Sequence, residues 1–197
     1  MQVGTGFTIP PTLSPAPCFR ACPPEAIEAQ QQTQDQVART VQALFDQPHS
    51  LSRLLTADHT RLLSLPELDH YAAQRPPGTT FLGAVPEPDQ GELLHWSQSG
   101  HARLFVYLYM QPWMDAVLGA LAASGAEVIA VIPDLDADLA RRHPKLRLYR
   151  KPVQLAPLLA HCTLAITHAG HGTALNCLLA GVPMVLLPLH MEQLLVT

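Results

Sequence analysis

The second half of the sequence predicts an α/β fold built on a parallel sheet. From residue 101 onward, short apolar runs rich in Val, Ile and Leu alternate with longer helical segments. Strands and helices that alternate along a chain are joined by right-handed crossovers, and these connections produce a parallel sheet. Most of the 19 prolines precede residue 90, where no such alternation is visible, so a second and more irregular region is expected there.

The first hundred residues are expected to contain one long helix and a few short elements. Residues 1–24 form a loop or extended segment because their prolines interrupt any period. Residues 25–47 form a helix, with an acidic first turn and apolar residues spaced along one face. Residues 51–55 and 61–65 are a short helical element and a strand, and the Pro- and Gly-rich stretch 75–100 is a linker between domains.

After residue 100, five strands and four helices are predicted from the apolar runs and the turn residues between them. The strands cover residues 104–109, 127–132, 146–149, 163–167 and 184–187. The helices cover residues 113–124, 135–142, 155–161 and 171–180. Numbered from residue 104, the strands are expected in the order 3-2-1-4-5. A ligand crevice would then open at the carboxyl ends of strands one and four, where the order reverses.

Charge and cysteine content limit the partners and the compartment. The net charge is −4 and no apolar run is long enough to cross a bilayer, so neither nucleic acid binding nor a membrane span is expected. Residues 1–20 lack the basic start and apolar stretch of a secretory leader. Four scattered cysteines indicate a reducing compartment, and we expect a cytoplasmic protein. Cys18 and Cys22 are four residues apart, but no neighbouring ligand completes a set, so no metal site is expected.

One segment between an apolar strand and a helix carries the strongest chemical signal, and it reads Thr167-His168-Ala169-Gly170-His171-Gly172-Thr173. Glycines in such a turn let the backbone approach an anion, and the first N–H groups of a helix have no partner within it. The helix dipole favours negative charge there, and the side chains of His168 and Thr173 add donors. The sequence therefore predicts a phosphate site. A plainer alternative is a strand–helix turn capped by Thr173, with no ligand.

This turn is part of a longer pattern that resembles the donor-binding signature of bacterial UDP-glycosyltransferase-like enzymes with the GT-B fold. The pattern consists of His168-x-Gly170-x-Gly172-Thr173, Gly181-Val182-Pro183, Pro188 and Glu192-Gln193. A weaker similarity to the family's N-terminal half covers Gly4-Thr5-Gly6-Phe7, Pro66-Glu67-Leu68-Asp69 and Phe81-Leu82-Gly83. The resemblance implies that residues 1–90 are the remnant of an acceptor domain plus a linker. Residues 101–197 would be a Rossmann-like nucleotide-sugar donor domain with an incomplete C-terminus, in a chain truncated at both ends.

The resemblance assigns two groups of residues to the donor's diphosphate and sugar. The diphosphate would be held by His168, Gly170, Gly172 and Thr173. Hydroxyls of the donor sugar would be bound by Glu192 and Gln193, because carboxylate and amide oxygens accept hydrogen bonds and the amide also donates. The alternative for this last pair is a polar first turn of a helix, where the dipole favours glutamate.

The nucleoside and the remaining polar side chains have weaker assignments. By resemblance, backbone atoms of Val153 hold the base, and Asn176 stands where many relatives bind the ribose with a glutamate. Asn176 has the alternative of facing the sheet edge without a ligand. His171 is by default a solvated loop residue, and Trp96 and Trp113 are expected to pack rather than to bind sugar.

The resemblance implies a glycosyltransferase that moves a sugar from a UDP- or dTDP-sugar to an acceptor hydroxyl with inversion. The acceptor would be a small molecule or a lipid, and no cofactor is needed because the nucleotide sugar is itself a substrate. The catalytic residue is unknown. The family's basic histidine lies early in the N-terminal half, whereas residues 1–48 contain no histidine and His49, His59 and His70 stand in unsuitable contexts.

Three alternatives stay open. A non-catalytic fragment would bind the nucleotide sugar and lack the N-terminal catalytic base. An epimerase of the same fold would need several carboxylates near the anomeric carbon, where this sequence offers only Glu192. An inert fragment would expose apolar surface where further strands pack.

Overall fold

A computed structural model describes the chain in two compact units, Met1–Val85 and Pro86–Thr197. The described residues are 1–5, 8–12, 23–45, 56–83, 85, 91–97 and 101–197. The helical element expected at residues 51–55 and the pair Cys18 and Cys22 lie outside them.

The first unit contains a small parallel sheet and one long helix. Its strands pair in the order β1-β2-β3, with β1 at Gln2–Gly4, β2 at Thr60–Leu62 and β3 at Thr80–Phe81. Helix α1 (Pro24–Phe45) confirms the helix expected over residues 25–47. Strands β1 and β3 correct the prediction, because they occur in segments expected to be a loop and a linker. Two or three residues are too few to show an alternating pattern in the sequence.

A buried ion pair organises the loop between β2 and β3. The carboxylate of Asp69 accepts from Arg75 Nε at 2.8 Å and Arg75 Nη2 at 3.1 Å, and both side chains are almost completely buried. Arg75 Nη1 also donates to the carbonyl oxygen of Ile9 at 2.7 Å, and the N–H of Tyr71 donates to Asp69 Oδ1 at 3.2 Å. This pair therefore connects the segment after β1 to the loop that precedes β3.

The second unit is a five-stranded parallel sheet with helices between its strands. The strand order is β6-β5-β4-β7-β8, which confirms the predicted order 3-2-1-4-5. The strands are β4 (Arg103–Tyr107), β5 (Glu127–Val131), β6 (Arg147–Tyr149), β7 (Leu164–Thr167) and β8 (Met184–Leu186). The helices are α2 (Met114–Ala123), α3 (Ala137–Arg142), α4 (Leu155–Leu159), α5 (His171–Leu179) and α6 (Met191–Leu194).

Both faces of this sheet are covered. Side chains alternate along a strand, and accordingly Val106 of β4 belongs to an apolar cluster with α2 and α3, whereas its neighbour Phe105 belongs to a second cluster with α4 and α5. All-parallel sheets bury both faces in this way, which explains why their strands are continuous apolar runs in the sequence. The sheet therefore offers its strand ends as sites for ligands.

Residues 91–97, which we call the strap, belong to the second unit and pack beside its sheet, although the sequence predicted a linker over residues 75–100. Glu92 forms a parallel bridge with Val153, and Leu94 is buried in the second apolar cluster. Gly91 has φ +115°, and a Cβ atom at this position would overlap the carbonyl oxygen of Pro152. Only glycine fits this close approach at a positive φ.

Candidate functional site

The predicted turn lies at the carboxyl edge of the sheet, where the strand order reverses. β7 ends at Thr167, which is in register with Tyr107 at the end of β4. The loops after these two strands are therefore neighbours. Ala169 adopts φ +63° and is fully buried, and its N–H donates to Thr167 Oγ1 at 3.1 Å. The left-handed conformation of this turn thus falls on an alanine rather than on either of its glycines.

Each glycine of the turn is explained by the space around it. Gly170 has an ordinary φ of −62°, but a Cβ atom there would lie 2.7 Å from His168 Nε2. Gly172 is in the first turn of α5, and a Cβ atom there would meet none of the described residues within 4 Å. The protein's own packing therefore requires the glycine at 170 and does not require the one at 172.

The first N–H groups of α5 have no acceptor among the residues that the structure describes. The first backbone bond of the helix runs from the N–H of Ala174 to the carbonyl oxygen of Gly170 at 2.9 Å. The N–H groups of His171, Gly172 and Thr173 precede it, and Gly170 provides no side-chain cap. Thr173 is the third helical residue rather than the cap, so the turn does not have the Thr-capped form of the plainer alternative.

His168 is 5% exposed and has a fixed orientation. Its Nδ1 lies 3.2 Å from the carbonyl oxygen of Tyr107, and its backbone N–H donates to the same oxygen at 3.1 Å. A carbonyl oxygen only accepts, so Nδ1 carries a proton and Nε2 is the nitrogen left for a ligand. Burial lowers the pKa of His168, the bond to Tyr107 opposes this shift, and His190 lowers the pKa further.

Two tyrosines that the sequence analysis did not single out flank this imidazole. The ring of Tyr107 meets the ring of His168 edge-on at 5.0 Å between centroids, and the ring of Tyr109 lies 4.6 Å away. Burial, followed by the neighbouring Tyr109, raises the pKa of Tyr107. The signal in the sequence was available, because both aromatic residues stand at the predicted carboxyl end of β4.

The two residues expected at the donor sugar occupy the start of α6 and differ in exposure. Gln193 is 3% exposed, and its Oε1 accepts from the N–H of Leu189 at 2.7 Å. Its Nε2 is therefore the group left to donate to a ligand. Glu192 is half-buried, and its carboxylate forms no hydrogen bond or ion pair within the described part of the chain.

The two residues expected at the nucleoside, Asn176 and Val153, both have polar groups that could bind a ligand. Asn176 Nδ2 donates to the carbonyl oxygen of Gly172 at 2.8 Å, which leaves Oδ1 as an acceptor. The bridge to the strap uses the carbonyl oxygen of Pro152 and the N–H of Gln154. The N–H and C=O of Val153 point away from this bridge and have no partner among the described residues.

His171 corrects the expectation of a solvated loop residue. It is the first residue of α5, and its Nε2 is buried without a hydrogen-bond partner among the described residues. Cys162 and Cys177 are both free, and burial raises the pKa of the Cys177 thiol to about 12, so this thiol stays protonated and unreactive. Within the described ranges, no three His, Cys, Asp or Glu side chains lie together as a metal site would require.

The strand order of the second unit and the helices between its strands define the class of protein. The chain has the fold of GT-B glycosyltransferases. No protein-family model matches it. Among solved structures it is similar to spinosyn rhamnosyltransferase SpnG, with a TM-score of 0.61 and 21% identity over 86% of this chain and 46% of that one. It is also similar to the glycosyltransferase SsfS6 from Streptomyces sp. SF2575 complexed with thymidine diphosphate, with a TM-score of 0.56 and 23% identity over 89% and 45%.

Among curated proteins, the chain is similar to a UDP-N-acetylglucosamine--N-acetylmuramyl-(pentapeptide) pyrophosphoryl-undecaprenol N-acetylglucosamine transferase from Synechococcus sp. (strain CC9902). The two are 31% identical over 116 residues, which cover 55% of this chain and 31% of the relative. The chain therefore spans about a third of this relative and just under half of the solved structures. Among the described residues, none of the helices has the length and apolar character needed to cross a membrane.

Proposed function

We propose that this chain carries the donor site of an inverting glycosyltransferase that uses a UDP- or dTDP-sugar. The observation that carries the proposal is the set of three N–H groups at the start of α5, which lie beside the buried imidazole of His168 and have no acceptor in the described protein. Directed amides and a helix dipole together form an anion site. Relatives of the same fold, SsfS6 among them, are described with thymidine diphosphate bound.

Each part of the donor has a counterpart around this turn. The diphosphate would be bound by His168, Gly170, Gly172 and Thr173. Glu192 would accept from sugar hydroxyls while Gln193 Nε2 donates to them. Val153 offers a backbone donor and acceptor to the base, and Asn176 Oδ1 accepts from the ribose.

The chemistry proposed for the whole protein is a displacement at the anomeric carbon. An acceptor hydroxyl of a small molecule or lipid attacks that carbon, loses its proton to a base, and expels the nucleoside diphosphate. The N–H groups of α5 stabilise the negative charge that develops on the leaving diphosphate. The nucleotide sugar is a substrate, and the proposal includes no cofactor. We place the reaction in the cytoplasm and assign no residue as the base.

Within this proposal, the two units have different roles. Residues 101–197 would form the donor domain, and residues 1–90 would contribute part of an acceptor domain and a linker. A second candidate function is nucleotide-sugar binding without turnover, because every group assigned here holds the donor and none is assigned to the acceptor.

Calorimetry with UDP, dTDP, UDP-sugars and dTDP-sugars, followed by an assay for nucleoside diphosphate release, tests the proposal. Saturable binding of a nucleotide sugar supports the donor site, and release of the diphosphate supports the enzyme. Binding without release favours the second candidate. The absence of binding by any of these ligands would contradict both.

A further inference from the structure

A cavity lies at the opposite edge of the sheet from the turn, in the same unit. It has a volume of about 230 Å³ and is lined by His95, Trp96, Ser97, Arg103, Pro157 and His161. We call it the back pocket. Arg103 is the first residue of β4, and His161 precedes β7, so the back pocket is at the amino ends of these strands. It therefore belongs to a surface that the proposed donor site does not use.

The walls of the back pocket are fixed by hydrogen bonds on the strap side. The carbonyl oxygen of His95 accepts from Arg147 Nη1 at 2.7 Å. The indole of Trp96 donates to the carbonyl oxygen of Leu158 at 2.8 Å. The N–H and hydroxyl of Ser97 donate to the carboxylate of Glu127 at 2.7 and 3.0 Å. Three successive strap residues are thus anchored to three different elements.

The floor of the back pocket is anchored to Thr163, the residue before β7. The backbone N–H of Arg103 donates to Thr163 Oγ1 at 3.1 Å, and its carbonyl oxygen accepts from the N–H of Thr163 at 2.8 Å. Arg103 Nη2 donates to the carbonyl oxygen of Ser97 at 3.2 Å. Its Nε is buried and has no acceptor among the described residues. The guanidinium is therefore held in place while part of its donor capacity is unused.

The charge of the lining favours an anion. Arg103 is cationic, His95 and His161 each add an imidazole, and none of the described residues that line the pocket is acidic. The nearest carboxylate in the network is Glu127, which accepts from Ser97 and from Arg147 Nη1 at 3.1 Å, so its charge is already compensated. Arg binds carboxylates and phosphates alike, and donors from three separate elements can each reach a different oxygen of a phosphate.

The volume and the remaining walls indicate that the anion carries an organic part. The cavity is many times larger than the ~10–15 Å³ of accessible space that one water requires. The indole of Trp96 and the ring of Pro157 supply apolar surface beside the cationic groups. We propose that the back pocket binds a small organic phosphate, with the phosphate on Arg103 and the imidazoles and the organic part against Trp96.

Phenyl phosphate is a suitable probe, because Trp96 reports on its own pocket. In a Trp113→Phe background of the full chain, we expect a saturable change in tryptophan fluorescence with phenyl phosphate. Inorganic phosphate should bind more weakly, and the neutral analogue phenol should produce no saturable change. Saturating UDP should leave the titration unchanged, so the result does not depend on whether the donor site exists.

Two variants and one control decide the proposal. Arg103→Gln is expected to weaken phenyl phosphate binding roughly tenfold or more, the loss typical of a charge-assisted hydrogen bond. His161→Gln, at an exposed position, is expected to weaken it about threefold without affecting folding. Arg141→Gln, on the exposed surface of α3, should leave binding unchanged. The proposal is overturned if the folded His161→Gln and Arg103→Gln proteins bind as tightly as the parent, if UDP displaces phenyl phosphate, or if the titration does not saturate.

Discussion

At the scale of single residues, Gly172 is a position where a bound ligand would require glycine and the packing of the fold does not. A methyl group at this position meets no atom of the described residues within 4 Å, and alanine is the better helix former by about 0.5–1 kcal/mol. The glycine is therefore unexplained by packing. It is explained if a diphosphate approaches the backbone at this point.

Replacing Gly172 with alanine should accordingly weaken binding while preserving or raising stability. We expect Gly172→Ala to bind a nucleotide sugar at least about tenfold more weakly, with an unchanged or higher melting temperature. Gly119→Ala, inside helix α2, where the added Cβ atom would lie at an ordinary contact distance of 3.9 Å from the side chain of His143, is the matched control and should gain stability without losing affinity. Calorimetry and thermal unfolding measure both quantities. Equal affinity in the two variants would argue against a diphosphate at this turn.

Affinity for the donor should depend on pH through His168. Because Nδ1 is committed to Tyr107, Nε2 donates to a phosphate only when the ring is protonated. The pKa of His168 in the unliganded protein is lowered, mainly by burial, so binding must take up a proton near neutral pH. Affinity should therefore rise as the pH falls, by at most about tenfold per pH unit for one linked proton.

Calorimetry with a UDP-sugar between pH 6 and 8 checks this dependence, because this ligand carries no terminal phosphate that titrates in the range. His168→Gln should bind more weakly and show a flat profile. An unchanged pH dependence in His168→Gln would assign the proton to another group.

At the scale of elements, the position of the strap depends on one glycine, Gly91, whose backbone lies close to that of Pro152. Gly91 combines a positive φ with an approach to Pro152 that no side chain can share. Gly91→Ala should detach this end of the strap and lower the free energy of unfolding by about 1–3 kcal/mol. Leu93→Ala, at an exposed neighbouring position, is the control and should have a small effect. Chemical denaturation measures the difference, and equal stabilities would show that the strap does not depend on this contact.

In the first unit, substitution of the buried ion pair of Asp69 and Arg75 is expected to lower stability strongly. Breaking one side of a buried pair leaves the other charge uncompensated and typically costs about 3–5 kcal/mol. Asp69→Asn is therefore expected to destabilise the first unit strongly, whereas Glu67→Gln, at an exposed position nearby, should not. Limited proteolysis of residues 56–83 would detect the change. Protection equal to the parent in Asp69→Asn would contradict the assigned role of the pair.

At the scale of the whole molecule, the sequence predicts the second unit far better than the first. Continuous apolar runs identify β4, β5 and β7, and their alternation with helices leads to the observed strand order. In the first unit, β1 and β3 are too short to have a pattern. The strap escapes prediction because its contact with Val153 is long-range and its glycine and polar residues resemble those of a linker.

The candidate site is predictable in composition but not in geometry. The glycines, His168 and the start of α5 are visible in the sequence, because a turn between a strand and a helix has a recognisable pattern. The positive φ of Ala169, the proton on His168 Nδ1 and the packing of Tyr107 and Tyr109 are not visible. They depend on the register of β4 and β7, which only the folded sheet fixes.

The central claim is that the N–H groups at the start of α5 bind the diphosphate of a nucleotide sugar. An amide-resolved NMR titration of the full chain with a UDP-sugar tests it most directly. We expect the amide resonances of His171, Gly172 and Thr173 to shift together and saturate with one binding constant. The amide resonance of Arg103, at the other edge of the sheet, should not shift. A saturating titration that leaves these three resonances unmoved would contradict the claim.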